Sequence, residues 1–376
     1  MYIIRKVETE IKKRLFTGKA IIIHGPRQSG KTTMIKHLIE PYQEDILWLN
    51  GDSPDIQAEL ENVTTTKWKA ILGKKTLLVI DEAQRIANIG IAMKLITDEL
   101  PHIQIIASGS SSFELADKTA EPLTGRKFEF KLLPLSFVEM TEHNSFLEEK
   151  RSLEQRLIFG SYPEIICNQG DEPVLLSSLA GSYLYKDLLL LDSIKKPSLL
   201  DKLIRAVALQ LGSEVKTSEL ANLVGADNKT VDRYIDLLEK SYVLFTLPSF
   251  SRNLRNEIKK GKKIYFYDLG VRNAVIGNFS SLSSRTDIGG LWENYLILER
   301  LKNQCNQPFP PRRYFWRTIE QSEVDYIEES GETLSAFEFK YNPNSKAKVP
   351  GAFIKSYPHA HTDIITSKNY DTFLLP

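Results

Sequence analysis

Short apolar runs alternate with helical patterns through the first third of the chain. Runs of strand length occupy residues 19–24, 46–49, 76–80, 103–107 and 127–132. A parallel sheet that is buried on both faces needs apolar strands with a helical crossover between them. The pattern therefore predicts an α/β fold built on a doubly wound parallel sheet.

The pattern changes after residue 150. Residues 151–197 have helical spacing, interrupted by a turn that begins at Gly160, and we interpret them as a helical connector. Residues 198–265 form a separate unit, and residues 266–376 have the pattern of an α+β domain, rich in strands with one long helix. A chain of 376 residues is too long for one ordinary domain, so we expect four parts, the first of them 1–150.

Composition and charge limit the classes of protein that this sequence can encode. No apolar run approaches the roughly 20 residues that span a membrane, and we expect no membrane contact. Residues 1–15 predict an amphipathic, basic helix without the apolar core of a secretory signal, which favours a cytoplasmic location. Cys167 and Cys305 are far apart, which argues against a disulfide framework or a zinc site. The net charge is +1, so any affinity for nucleic acid must come from a local patch.

Residues 25–32 match the pattern GxxxxGK[ST] at every fixed position, between an apolar strand and a helical stretch. The loop and the threonine after it consist of Gly25, Pro26, Arg27, Gln28, Ser29, Gly30, Lys31, Thr32 and Thr33. In this context backbone N–H groups and a helix N-terminus face the phosphates of a nucleotide, which a chance glycine turn would not achieve. Lys31 would reach the β- and γ-phosphates, and the Thr32 hydroxyl would bind Mg²⁺. The loop therefore predicts ATP and Mg²⁺ as cofactors.

Two carboxylates follow the apolar run at residues 77–80. Asp81 would enter the Mg²⁺ shell, and Glu82 would orient the attacking water. The alternative is an acidic strand end that caps the next helix. At the end of the following strand, Ser108 either senses the γ-phosphate or, like Ser110, caps a helix, and the sequence leaves both interpretations open.

An arginine stands directly before the last predicted strand of the first part. Arg126 follows Gly125, a position from which a side chain can project from the edge of a domain. It is either an arginine finger that acts on the ATP of a neighbouring subunit or one partner of a surface salt bridge. The first interpretation predicts a homo-oligomer.

Taken together, these motifs resemble a family of bacterial and archaeal AAA-type ATPases that join a P-loop domain to a C-terminal domain of uncharacterised function. The resemblance covers nearly the whole chain. It is carried by residues 25–33, 77–84, 108–112, 123–137, 160–164, 266–273, 292–294, 323–327 and 338–340. It implies that Arg126 is the finger, that 198–265 is a winged helix and that 266–376 has a restriction-nuclease-like fold. Ser108 stands where relatives often have threonine, and the hydroxyl is retained.

The residues themselves also favour a winged helix. Helical patterns at 218–224 and 228–240 flank a turn at Gly225, and a strand pattern follows at 242–247. The charges of the second helix cancel, which argues against tight DNA binding through it. They belong to Lys229, Asp232, Arg233, Asp236, Glu239 and Lys240.

A basic stretch follows the winged-helix pattern and is opposed by Glu257 alone. It contains Arg252, Arg255, Lys259, Lys260, Lys262 and Lys263. A basic wing of this kind would contact DNA phosphates. The alternative is a solvated loop on a winged helix that binds only proteins.

The last part of the chain contains a candidate metal site. Period-two alternation puts Glu338 and Lys340 on one strand face, with Asp325 opposite them in a hairpin. The arrangement resembles restriction-type nucleases, in which an Asp and a Glu hold Mg²⁺ and a Lys positions or activates water. Glu293, on the long helix, matches the upstream acidic residue of that fold. The alternative is an ion-paired sheet face.

The sequence thus predicts an AAA-type protein that binds and hydrolyses ATP, acts on DNA, and contains a metal-dependent nuclease site. The competing hypothesis is a nucleotide-dependent switch or scaffold whose C-terminal half binds a partner protein and cuts nothing.

Overall fold

A computed structural model describes residues 2–110, 118–190, 196–251 and 261–375. The chain divides into two compact units, one of Met1–Leu135 with Lys240–Tyr242 and the other of Ser136–Glu239 with Val243–Pro376. The finer division into four parts stays a prediction.

A five-stranded parallel sheet forms the centre of the N-terminal unit, with the strand order β2-β3-β4-β1-β5. Its strands are β1 Ala20–His24, β2 Ile46–Asn50, β3 Leu77–Asp81, β4 Gln104–Gly109 and β5 Lys127–Lys131. Each apolar run predicted as a strand forms one, so the predicted α/β fold with a parallel sheet is confirmed.

Helices cover both faces of this sheet. Among the described residues, the α-helices of the unit include Val7–Lys12, Lys31–Leu38, Pro54–Leu60, Thr65–Leu72 and Ile89–Glu99, and the 3₁₀ helices include Glu40–Asp45 and Ala83–Arg85. Along β3, Leu78 packs into one apolar cluster with Trp68, while Val79 packs into a second cluster with Met34. Successive side chains of a strand point to opposite faces, so burial on both faces requires an unbroken apolar run. The predicted helix at 1–15 is wrong in length, because only Val7–Lys12 is helical.

The C-terminal unit is largely helical in its first half. Its α-helices are Phe137–His143, Phe146–Arg151, Leu153–Phe159, Pro163–Cys167, Glu172–Leu190, Pro197–Leu209, Thr217–Val224, Asn228–Lys240, Leu269–Ile276, Ile288–Gln304, Gly351–Ser356 and Tyr370–Leu374, with a 3₁₀ turn at Leu282–Ser284. Helices occupy much of the described part of 151–197, and a break between two of them lies at Gly160, whose φ of 72° few other residues tolerate. Their role as a connector stays a prediction. No helix in the described ranges is long and apolar enough to cross a membrane.

Two sheets belong to the C-terminal unit. The smaller has the order β6-β8-β7 and consists of antiparallel strands β6 Glu214–Val215, β7 Leu244–Pro248 and β8 Lys262–Phe266. The larger has the order β12-β11-β10-β9 and consists of β9 Arg312–Arg317, β10 Glu323–Ser330, β11 Thr333–Lys340 and β12 His361–Thr366. Strands β10 and β11 form the predicted hairpin, with Tyr326 opposite Phe337. This register places Asp325 beside Glu338.

Candidate functional site

The loop between β1 and the helix Lys31–Leu38 has a backbone that depends on glycine. Gly30 begins the helix with a φ of 92°, in the left-handed region that a side chain rarely adopts. A Cβ atom at Gly25 would collide with the carbonyl oxygen of Leu132. Both glycines of the motif are therefore required by the shape of the loop.

The Lys31 side chain folds back over this loop and is only 6% exposed. Its Nζ donates to the carbonyl oxygens of Gly25 at 2.9 Å and Pro26 at 2.7 Å. The Ser29 hydroxyl donates to the same Pro26 oxygen at 2.9 Å. Among the other predicted loop residues, Arg27 is half-buried, while Gln28 and Thr33 are exposed.

Hydroxyl and carboxylate groups meet beside the loop at the carboxyl ends of the strands. The Thr32 Oγ1 donates to Asp81 Oδ2 at 2.8 Å, and the Ser108 hydroxyl donates to Asp81 Oδ1. These side chains come from the helix Lys31–Leu38, β3 and β4, as the motif spacing predicts. Oxygen donors of this kind suit Mg²⁺, so Thr32 and Asp81 fit the ion that accompanies a nucleotide. Ser108 lies within β4, and the alternative that it caps a helix is wrong.

Glu82 follows Asp81 in a left-handed conformation with a φ of 50°. Its carboxylate accepts a hydrogen bond from Gln84 Nε2 at 2.6 Å, and Gln84 also donates to the Ser110 hydroxyl at 3.2 Å. No cap bond joins the Glu82 side chain to the 3₁₀ helix that it precedes, so the helix-cap interpretation of this residue is wrong. Its role in orienting water stays a prediction. The alternative that Ser110 caps a helix concerns residues 111–117, which lie outside the described residues.

Arg126 lies at the opposite end of the sheet from the loop of its own chain. Its carbonyl accepts from Ala20 at the start of β1, whereas the loop follows His24 at the end of that strand. The side chain is 43% exposed, and its Nε lies 2.5 Å from Asp98 Oδ1. The predicted surface salt bridge is therefore present within the chain. Action on a neighbouring subunit stays a prediction.

Two residues that the sequence analysis did not select contribute to this region. Arg5 is buried and donates to the loop carbonyl of Ser29, and no local pattern in the sequence indicates this. The pKa of His24 is lowered to about 4, chiefly by burial and in part by Lys131, while Glu129 opposes the shift. A histidine that ends a fully apolar strand directly before Gly25 was a visible signal.

Asp325, Glu338 and Lys340 lie together on the β10–β11 hairpin, as predicted. Lys340 Nζ is 2.7 Å from Glu338 Oε1 and 3.8 Å from Asp325 Oδ2. Asp325 Oδ2 also accepts the backbone N–H of Phe339 at 2.8 Å. Burial raises the pKa of both carboxyl groups, and their mutual repulsion raises that of Glu338 further.

Glu293 is connected to the same group of charges through Lys263, which the sequence analysis assigned to the basic wing. Lys263 Nζ lies 2.7 Å from Glu293 Oε1 and 2.6 Å from Glu323 Oε1, and Tyr265 donates to Glu293 at 2.6 Å. The pKa of Glu293 is raised to about 7, chiefly by burial and in part by Asp325, while Lys263 opposes the shift. Burial alone would lower the pKa of Lys263, but the surrounding carboxylates raise it.

The assignment of Lys263 to the basic wing is therefore wrong. Only 1% of its side chain is exposed, because alternation along β8 turns it inward while Lys262 remains 31% exposed, 3.8 Å from Asp232. The remaining basic positions of the predicted wing lie outside the described residues. They are Arg252, Arg255, Lys259 and Lys260.

The acidic cluster fits a metal ion only in part. In the ranges that the structure describes, no three His, Cys, Asp or Glu side chains are placed to hold one ion. Glu338 Oε2 is buried without a hydrogen-bond partner, which leaves an oxygen for a cation next to Asp325. Glu293 is already neutralised by Lys263. Asp325 and Glu338 can therefore serve as two ligands, whereas Glu293 does not fit as a third.

Other motif residues of the C-terminal unit bind the protein's own backbone. Asp268 accepts the N–H groups of Ser161 at 2.8 Å and Val271 at 3.0 Å, and burial raises its pKa to about 6. Asn294 both accepts from and donates to the backbone of Phe266. The motifs at 160–164, 266–273 and 292–294 thus hold the unit together.

Three family models match successive parts of the chain. Residues 17–141 match the family model described as "AAA domain". This region is an AAA-type P-loop domain. Residues 150–282 and 288–373 match two further families, each described as a "Domain of unknown function", DUF8612 and DUF4143.

Similar proteins extend over both the AAA domain and the C-terminal unit. An uncharacterised protein of Mycobacterium tuberculosis is 25% identical over 347 residues, covering 89% of this chain and 73% of that protein. An uncharacterised protein of Methanocaldococcus jannaschii is 26% identical over 380 residues, which cover 95% of this chain and 82% of that protein. Among solved structures, that of the Aeropyrum pernix Orc1 protein in complex with DNA aligns with 74% of this chain and 93% of the Orc1 chain. The sequence identity is 12% and the TM-score is 0.31. That score is too low to support an inference.

Proposed function

We propose that this protein binds and hydrolyses ATP and uses the nucleotide cycle to act on DNA. The observation that carries the first part is the meeting of Lys31, Thr32, Asp81 and Ser108 at the carboxyl ends of the parallel strands. Ligands of open α/β sheets bind at this end. The AAA-type domain in which the residues lie supports the same conclusion.

Each side chain of this site has a separate task in the proposed reaction. Lys31 binds the β- and γ-phosphates, while Thr32 and Asp81 hold the Mg²⁺ that neutralises phosphate charge when bound. Glu82 orients the attacking water, and Gln84 holds the Glu82 carboxylate in place. Ser108 fixes the direction of the Asp81 carboxylate.

The decisive experiment measures the ATPase rate with no DNA, single-stranded DNA and double-stranded DNA. We expect turnover that DNA changes, and Glu82→Gln should retain ATP binding while losing turnover. Gln84→Asn is a matched control that alters the neighbour of Glu82 and should reduce the rate less. Wild-type protein without turnover under any of these conditions would contradict the ATPase proposal.

Arg126 acts in this proposal on the ATP of a second copy of the chain. Its position at the far end of the sheet from its own loop supports action in trans. Arg126→Ala should leave ATP affinity nearly intact and lower the hydrolysis rate by roughly 10³-fold. Mixing it with Lys31→Ala subunits should restore part of the activity. A strictly monomeric protein with full activity would exclude a finger in trans.

The proposed DNA contact lies in a winged helix formed by Thr217–Val224, Asn228–Lys240 and the three-stranded sheet. Two helices joined by a short turn and followed by an antiparallel hairpin are the order that this motif requires. Changing Arg252, Arg255, Lys259 and Lys260 to Ser should weaken DNA binding and lower the slope of log K against log salt by about 0.9 for each DNA phosphate that the variant no longer neutralises. Lys216→Ser serves as a basic control outside the proposed wing. An unchanged slope would favour a protein partner.

A metal-dependent nuclease is the second candidate activity, and the unpartnered Glu338 Oε2 beside Asp325 favours it. In this proposal Asp325 and Glu338 hold the ion, Lys340 positions water, and Glu293 supports the site through Lys263. Asp325→Asn should remove DNA cleavage that depends on Mg²⁺ or Mn²⁺ and leave ATP hydrolysis unchanged. If wild-type protein cleaves no form of DNA with either ion, the nucleotide-dependent switch takes the place of the nuclease. The Lys263–Glu293 ion pair and the balanced charges of Asn228–Lys240 favour that alternative.

A further inference from the structure

We propose that Arg5 is a positioning residue for the nucleotide site, which fixes the peptide that presents a backbone N–H to the phosphates. This inference rests on the proposed binding of ATP at the loop 25–32. It assigns a role in nucleotide affinity to a side chain that lies outside every motif of the chain.

The Arg5 guanidinium connects two segments of the N-terminal unit. One nitrogen, Nη1, donates to the carbonyl oxygen of Ser29 in the loop at 2.8 Å. The other, Nη2, donates to the carbonyl oxygen of Leu133, just after β5, at 2.5 Å. The side chain is 5% exposed, so both bonds are made away from bulk water. A planar guanidinium holds its donors in a fixed geometry, which a lysine ammonium cannot reproduce.

The bond to Ser29 determines the direction of the next N–H group. In a trans peptide the C=O and the following N–H lie in one plane and point in opposite directions. Holding the Ser29 carbonyl towards Arg5 therefore turns the N–H of Gly30 to the other side of the loop. Gly30 has a φ of 92° and begins the helix Lys31–Leu38, and backbone N–H groups at this position of a P-loop cradle phosphate.

Arg5 is itself held in place by a packed segment. Its backbone N–H donates to Glu8 Oε1 at 2.8 Å, and the Glu8 carboxylate also lies 2.9 Å from His37 Nδ1 on the helix that follows the loop. Val7 and Ile11 pack in the same apolar cluster as Met34. Since the helix that follows Arg5 is anchored in this way, the guanidinium meets Ser29 without a large cost in side-chain entropy.

A second contact keeps the loop against the segment that Arg5 holds. The space for a side chain at Gly25 is occupied by the carbonyl of Leu132, the residue before Leu133. Both ends of the loop are therefore held against residues 132–133. Gly25 contacts the Leu132 carbonyl directly, and the Ser29 carbonyl is joined to the Leu133 carbonyl through Arg5. Removal of the Arg5 side chain would release the Ser29 end of the loop while the packing at Gly25 remains.

The test compares ADP and ATP binding by wild-type protein, Arg5→Ala and Arg5→Lys, together with steady-state ATPase kinetics. We expect Arg5→Ala to weaken ADP binding roughly 10- to 100-fold, as loss of charge-assisted hydrogen bonds predicts. The KM for ATP should rise by a similar factor while kcat at saturation changes less than about threefold. Arg5→Lys should recover part of the affinity, and millimolar methylguanidinium should restore part of it to Arg5→Ala.

Val7→Ala is the matched control, because it loosens the same segment without touching the hydrogen bonds to the loop. At an equal loss of thermal stability it should bind ADP as wild-type protein does. The inference is overturned if Arg5→Ala binds ADP with wild-type affinity, or if Val7→Ala loses as much affinity at matched stability. If wild-type protein binds neither nucleotide, the proposed ATPase function fails, and the inference about Arg5 fails with it. Nucleotide binding by wild-type protein therefore distinguishes this failure from one that concerns Arg5 alone.

Discussion

Lys31 in the N-terminal unit and Lys263 in the C-terminal unit are both buried lysines, but they have different neighbours. The Lys31 ammonium donates to the carbonyl oxygens of Gly25 and Pro26, which carry only partial charges. The Lys263 ammonium lies within 2.7 Å of the carboxylates of Glu293 and Glu323. Carboxylates that surround a buried ammonium neutralise its charge within the fold, whereas backbone carbonyl oxygens carry partial charges and do not.

The same contrast extends to the motif residues around each lysine. Beside Lys31, the side chains of Thr32 and Ser108 converge on Asp81 at the open end of a parallel sheet. In the C-terminal unit, Asp268 and Asn294 satisfy backbone groups of neighbouring segments. A sequence motif can thus mark a ligand site in one unit and an internal scaffold in the other.

The largest expected effect comes from Lys31→Met, which keeps the volume of the side chain and removes its charge. ADP affinity should fall by more than about 10²-fold, because the charge that meets the phosphates is lost. The free energy of unfolding without nucleotide should change by less than about 2 kcal/mol, the scale of two hydrogen bonds. Isothermal titration with ADP and urea unfolding measure the two quantities. A large loss of stability with ADP affinity retained would mean that Lys31, like Lys263, serves the fold.

The same substitution at Lys263 should act on the fold. Lys263→Met leaves the buried Glu293 without its counter-ion, which costs about 3–5 kcal/mol in the free energy of unfolding. Lys262→Met, one residue away and partly exposed, should cost less than about 1 kcal/mol. Urea unfolding monitored by circular dichroism measures both variants. Equal losses at the two positions would show that burial of Lys263 does not matter.

His24 should make the N-terminal unit sensitive to acid. Its pKa is about 4 in the folded protein against about 6.5 when unfolded, so between these values the unfolded chain binds the proton first. Stability is complete above pH 6.5 and falls as the pH drops towards 4, by about 3 kcal/mol in total. Unfolding of wild-type protein and His24→Gln at pH 7 and pH 5 measures the effect. The variant should lose less stability than wild-type protein over this interval, and an equal loss would contradict the shift.

The smallest expected effect concerns the ion pair between Arg126 and Asp98. Both side chains are more than a third exposed, so Asp98→Ala should change the free energy of unfolding by less than about 1 kcal/mol. Arg126 would then be available to a neighbouring subunit at little cost. Thermal unfolding of Asp98→Ala and Asp98→Asn gives the value. A loss of several kcal/mol would mean that Arg126 is a structural residue of its own chain.

Much of the fold was predictable because its signals are local. The five apolar runs became the five parallel strands, since burial on both faces requires unbroken apolar sequence. Period-two alternation brought Asp325, Glu338 and Lys340 together on one hairpin. The glycines at 25 and 30 marked the loop because its backbone excludes other residues.

The parallel sheet, the glycine loop at 25–32 and the acidic hairpin could all be predicted from the sequence, because each depends on local spacing. The position of Lys263 between Glu293 and Glu323 could not, because tertiary contacts bury this residue although it stands in a run of basic residues. Tertiary contacts also decided that Arg5 supports Ser29 from 24 residues away. Whether a charge is solvated, paired or kept for a ligand depends on desolvation and on partners from distant segments, and local pattern contains neither.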